Sequence, residues 1–164
     1  LDLLSDISSA LGINQNVLKA IESLQAENSK FKALVEDYEN KQAGNLKNDL
    51  LKCAKQVNGV NAIVEIVSVS NAGQAKDLCF QFKEELDNLF CVLLANINGK
   101  PSISVIISDA LVKEKGWNAG QLIREWAKHV KGGGGGQPFF AQAGGADVNG
   151  LEKVKEVASA FINS

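Results

Sequence analysis

The chain has 164 residues, 45% of them apolar and 22% charged, and a formal net charge of −2. Such a chain can bury a real core as one domain, or as one domain with an appendage. The slightly negative balance excludes a molecule that binds nucleic acid by bulk charge, so any phosphate contact must come from a local patch. No apolar run approaches the ~20 residues that span a bilayer, so no membrane is expected as a partner. The first residues do not read as a secretory leader. The chain starts at Leu1 and contains no methionine, which reads as a piece cut from a longer protein. Cys53, Cys79 and Cys91 have no CxxC spacing and sit among apolar residues. They are expected to be buried, reduced thiols rather than metal ligands. His129 is the only histidine, so no zinc site is expected.

Leu3, Leu4, Ile7, Ala10 and Leu11 recur at helical spacing and predict a short amphipathic helix that Gly12 ends. Asn14 is a candidate cap for the next helix. From there to about Val57 there is no proline, and Gly44 is the only glycine. Apolar residues recur throughout, with Leu24, Phe31 and Tyr38 at seven-residue steps, the interval of a coiled coil. One long helix is predicted, with Gly44 as the place where it could kink. It is too long to be covered by so small a domain, which implies a partner helix or a second protomer.

After the Asn58-Gly59 turn the pattern changes. Val60 to Val69 alternates as a strand, and Gly73 to Leu86 has a helical face of Ala75, Leu78, Cys79, Phe82 and Leu86. Phe90 to Ile97 is a continuous apolar run, expected as a buried strand, and Asn98-Gly99 joins it in a hairpin to Pro101–Ser108. A helix burying Leu122, Ile123, Trp126, Ala127 and Val130 comes next. A glycine run, a short strand over Phe139–Ala143 and a last helix from near Asn149 complete the chain. The expected fold is α+β. A long helical, coiled-coil-like arm over 1–58 precedes a compact unit over 59–164, with helices on a small mixed sheet of four strands.

Five consecutive glycines, Gly132–Gly136, look unsuited to a helix or strand interior, where each costs roughly 0.5–1 kcal/mol relative to alanine. Apolar sequence on both sides places the run inside a fold rather than in a linker. A loop whose backbone amides close on an anion is the remaining reading, and phosphate is the usual anion. The surroundings are basic, with six cations against three carboxylates between Lys100 and Gly136. Arg124, Lys128 and Lys131 fall on one helical face leading to the loop, although cations at a helix C-terminus also complement its dipole. The glycines follow a helix rather than a strand, so this is not a dinucleotide fingerprint, and the Gly-Lys-Ser/Thr of a nucleotide P-loop is absent. No catalytic constellation is visible, so no catalytic residue is assigned.

Gly132–Gly136 followed by Phe139-Phe140-Ala141-Gln142-Ala143-Gly144-Gly145 resembles the C-terminal domain of alanyl-tRNA synthetases. Gly99-Lys100, Val105-Ile106-Ile107-Ser108 and Asn118-Ala119-Gly120-Gln121-Leu122-Ile123 resemble it as well. The compact unit is also similar to the substrate-binding domain of DHH phosphoesterases. In that family a Gly-Gly-Gly-His block precedes Ala-Ala-Gly, whereas here Gln137 follows the glycines. The resemblance implies a cytoplasmic, non-catalytic piece of an alanine–tRNA ligase that touches the outer corner of the tRNA and so assists aminoacylation and editing. It implies tRNA-Ala and the parent's catalytic and editing domains as partners, and a homodimer through the arm. ATP, Mg and Zn are implied for the parent, with no cofactor in this piece. The candidate phosphate-binding residues are Lys100, Arg124, Lys128, Lys131, Gly132, Gly133, Gly134, Gly135, Gly136, Gln137 and Gln142. Phe139, Phe140 and Trp117 are candidates for stacking on bases, with burial in the core the more usual role for such residues. The competing reading makes the piece an oligomerisation module whose glycines only allow tight packing; a phosphoesterase subdomain is the third.

Overall fold

The computed structural model describes residues 3–12 and 16–164. The chain divides into two compact units, Leu1–Asn45 and Leu46–Ser164. The first contains α1 (Leu3–Leu11) and most of α2 (Val17–Lys52). Gly12, at φ +65, takes the left-handed conformation that ends α1 without a Cβ clash. The expected cap at Asn14 lies outside the described residues. Asn16 Oδ1 accepts from the Lys19 N–H at 3.3 Å, one of the bonds that a helix start needs. Gly44 does not break α2, which runs unbroken to Lys52.

The second unit is larger than the expected 59–164, because Leu46–Asn58 belongs to it. The long helix stops at Lys52 instead of Val57. Lys55–Val57 is a strand, β1, paired antiparallel with β2 (Val60–Val67) across the Asn58-Gly59 turn. Asn58 and Gly59 both have positive φ, as a tight two-residue hairpin turn requires. Leu50 is buried and Leu46 and Leu51 pack beside it, so the end of α2 serves this core.

The sheet has six strands in the order β1-β2-β3-β4-β6-β5, rather than the expected four. β2 runs parallel to β3 (Leu89–Ile97), with α3 (Ala72–Glu85) as the crossover; every other pairing is antiparallel. β4 (Lys100–Ile107) pairs with β3 through the Asn98-Gly99 hairpin. A short α4 (Asp109–Lys115), which the apolar periodicity does not announce, ends at Gly116 in the left-handed region. α5 (Ala119–Trp126) continues as a 3₁₀ turn over Ala127–Val130, and α6 (Leu151–Asn163) closes the chain.

β3 and β4 are buried on both faces, so the period-2 rule sends alternate residues into two cores. Phe90, Val92, Leu94, Ile103, Val105 and Ile107 face α5 and α6. Leu89, Cys91, Leu93 and Ile106 face α3 and the end of α2. Cys79 and Cys91 are buried as expected, but Cys53, one residue past α2, is exposed.

Candidate nucleic-acid interface

The glycine run is not an open loop. Gly133–Gly136 is β5, an edge strand paired antiparallel with β6 (Phe140–Gly144). This corrects the expectation that glycines exclude a strand there, and the reason is close packing. A β-carbon on Gly132 would stand 1.8 Å from Gly144 O, one on Gly134 2.2 Å from Gln142 O, and one on Gly136 2.4 Å from Phe140 O. One on Gly120 of α5 would meet Gly136 O at 2.9 Å. The propensity cost of glycine is set against backbone approaches that no other residue permits.

Gln137 and Phe140 exchange backbone hydrogen bonds of 2.8 and 3.2 Å around Pro138 and Phe139. Antiparallel pairs alternate, so Gly135 and Gly133 bond inward to β6, while the N–H groups of Gly134 and Gly136 turn to the outer edge. The next outward amide, that of Gly132, donates to Ala127 O at 2.9 Å. What survives of the anion-binding loop is therefore a pair of edge amides about 7 Å apart. Gln137 is exposed at the hairpin turn.

The three cations expected on one helical face divide. Arg124 is on α5, and a β-carbon at Gly135 would lie 3.9 Å from its Nε and Nη2, so the guanidinium sits beside β5. Lys128 is exposed on the 3₁₀ turn. Lys131 has left the helix, with φ +51, and its Nζ lies 3.2 Å from Asp147 Oδ2. That ammonium, followed by the Asn149 backbone N–H, holds the Asp147 carboxyl below its usual value.

Lys100 and Gln142 come together at the Gly133 end of β5. With Asn71, Ala72, Asn98, Pro101, Ser102 and Gly144 they line a cleft of about 580 Å³ where β4 begins. Gln142 is committed to the fold: its Nε2 donates to Ala72 O at 3.0 Å and to the buried Ser104 Oγ at 2.9 Å. Among the described residues, no group of three or more His, Cys, Asp or Glu is placed to hold a metal ion. No helix among them is long and apolar enough to cross a membrane.

Trp117 packs on Phe90 and Phe161, at ring distances of 5.5 and 5.1 Å, on the core side. Phe139 and Phe140 are half-buried on the α3 side of the sheet. Phe140 lies 5.1 Å from Phe80, and Lys76 Nζ stands 5.8 Å from the Phe140 ring centre and 6.0 Å from that of Phe80. Lys83 Nζ lies 4.9 Å from the Phe139 ring and 3.1 Å from Asp109 Oδ1. Sequence reading overlooked Lys76 and Lys83, although their seven-residue spacing around Phe80 was the available signal.

Residues 59–164 match the DHHA1 domain family. The alanine–tRNA ligase of Christiangramia forsetii is 44% identical over 161 residues, covering 98% of this chain and 18% of that relative. The alanine–tRNA ligase of Cytophaga hutchinsonii is 36% identical over 151 residues, covering 92% of this chain and 17% of the relative. The chain thus spans less than a fifth of the length of these relatives. Among solved structures, the C-Ala domain from Aquifex aeolicus alanyl-tRNA synthetase has the same fold, with a TM-score of 0.61 at 18% identity. That match covers 68% of this chain and 98% of the domain.

Proposed function

The chain belongs to the DHHA1 domain family, and from this we propose that it is the tRNA-contacting C-terminal domain of an alanine–tRNA ligase. The observation that carries the reading is the match of almost the whole chain to one segment of such ligases. The site supports it physically. The outer edge of β5 offers the Gly134 and Gly136 amides, with Arg124 beside it and Lys128 exposed after it. Backbone N–H groups and nearby cations suit phosphates, and they read shape rather than base sequence. The proposed contact is the outer corner of tRNA-Ala, where it assists aminoacylation and editing by other parts of a cytoplasmic parent chain. ATP, magnesium and zinc chemistry is assigned to those other parts.

The test is anisotropy of labelled, folded tRNA-Ala titrated with this chain at low and moderate salt. Saturable binding, micromolar or weaker and weakening as salt rises, is expected from so few cations. Arg124→Glu with Lys128→Glu should raise Kd about tenfold and leave the circular dichroism unchanged. These two are better targets than Lys131, whose charge also holds Asp147. Absence of binding at low salt, or an unchanged Kd in the double variant, overturns the reading.

A second reading, dimerisation through the helical arm, rests on α2. Leu24, Phe31, Leu34, Val35 and Tyr38 are all exposed there.

A further inference from the structure

We propose that the α3 face of the sheet is a second RNA-contacting surface, a lysine–phenylalanine track leading into the cleft at Lys100 and built for unpaired nucleotides. The inference rests on the tRNA-contacting reading and assigns it a surface beyond the outer amides and Arg124 of the β5 edge, which the cleft meets only at Gly133. Lys76, Phe80 and Lys83 follow one another at four and three residues along α3, so they form one stripe. The two lysines are roughly 10 Å apart along the helix. Phe140 lies against Phe80, and Phe139 lies beneath Lys83, so three half-buried rings face two ammonium groups.

The track and the cleft are continuous. Ala72 lines the cleft one helical turn before Lys76. Gln142 lines it two residues beyond Phe140, on the same face of β6. The cleft's volume of about 580 Å³ falls in the usual range of small-ligand sites, about 300–1,000 Å³. Its walls combine apolar Ile97, Pro101 and Ala143 with Lys100 at the rim. Rings that accept a flat partner, interleaved with cations, are the features that bind single-stranded nucleic acid without sequence preference. A protein partner would have to place carboxylates on the lysines and separate apolar side chains on the rings, as Asp109 already does for Lys83, whereas a nucleotide brings the flat base and the anion together. Of the three acidic residues of α3, Asp77 and Glu84 lie about 80–100° around the helix from Lys76, and Glu85, on the opposite side, pairs with Lys47. Without RNA, the ammonium groups rest over the rings. A base that stacks on Phe80 and Phe140 displaces Lys76 toward the strand's phosphate, so the cation exchanges a ring for an anion.

The experiment uses the whole chain, folded tRNA and an unstructured oligouridylate of about twelve nucleotides, within the site sizes known for single-strand binders. Lys76→Glu with Lys100→Glu is the test variant; Lys83 is left alone because it also pairs with Asp109. The expected result is a Kd for both RNAs raised about tenfold or more, and a log–log salt slope for the oligouridylate shallower by about 1.4 for two lost phosphate contacts. In a Phe139→Trp chain, indole fluorescence should be quenched by the oligouridylate well beyond any change in the wild-type chain, whose own indoles are Trp117 and Trp126. Circular dichroism should match wild type in both variants. Unchanged RNA affinity in Lys76→Glu with Lys100→Glu, while Arg124→Glu with Lys128→Glu loses binding, overturns this surface and leaves the tRNA-contacting reading standing. Binding of tRNA without any of the oligouridylate also overturns it. So does a test variant that keeps its RNA affinity but no longer associates with the remainder of the parent ligase, because the face is then a protein interface. A wild-type chain that binds neither RNA removes both.

Discussion

One hydrogen atom per glycine separates two kinds of position in the run. At Gly133 a β-carbon would meet open space, with φ outside the left-handed region. At Gly134 it would strike Gln142 O at 2.2 Å and Ala143 Cα at 2.5 Å. Backbone atoms held in a sheet cannot swing aside as the tip of a side chain can. Gly133→Ala is therefore expected to change stability by less than about 1 kcal/mol. Gly134→Ala is expected to cost about 3 kcal/mol or more, at or beyond the upper end of usual overpacking penalties. Urea unfolding of the two variants checks this, and equal midpoints would refute the packing account of the run. Because Gly134 serves both packing and the edge amide, substitutions there cannot isolate a role in binding. The outward cations Arg124 and Lys128 can.

Among the elements, α2 carries its own prediction. Its exposed Leu24, Phe31 and Tyr38 repeat at the interval of a coiled-coil seam. If a second copy covers that seam, the chain sediments as a dimer at micromolar concentration, and Phe31→Glu with Tyr38→Glu returns it to a monomer. A wild-type monomer across that range rejects the seam. The long helix, β2, β4 and α6 were legible because their periodicities are local, and β3 because its apolar run is unbroken. β1 and β5 were not. Lys55–Val57 is too short to show alternation, and Gly133–Gly136 has no side chains to alternate. Both are outer strands that exist only because a neighbouring strand offers hydrogen bonds. The basic helical face failed for a related reason. The α-helix stops at Trp126, and the tighter 3₁₀ turn after it changes the angular step between Arg124, Lys128 and Lys131.

For the molecule as a whole, the useful boundary is Asn45/Leu46. A chain cut to 59–164 keeps every residue of the family match but loses β1 and the buried Leu50. It should be less stable than a chain cut to 46–164 by at least about 2 kcal/mol, the low end for emptying a buried leucine site. Thermal melts of the two fragments decide, and equal melting would show that the end of α2 is dispensable to the core. Local patterning was enough to assign the α+β class, most of the helices and central strands, and a glycine-rich segment of special importance near the end of the chain. Spacing along a chain reports which residues share a face of one element. It does not report which backbones approach within a β-carbon's radius, nor which lysine reaches which ring. Those facts depend on six strands, α3 and α5 meeting in space. They turned an expected phosphate loop into an edge strand, paired Lys131 with Asp147, and set Lys76 and Lys83 over phenylalanines up to 64 residues away in sequence.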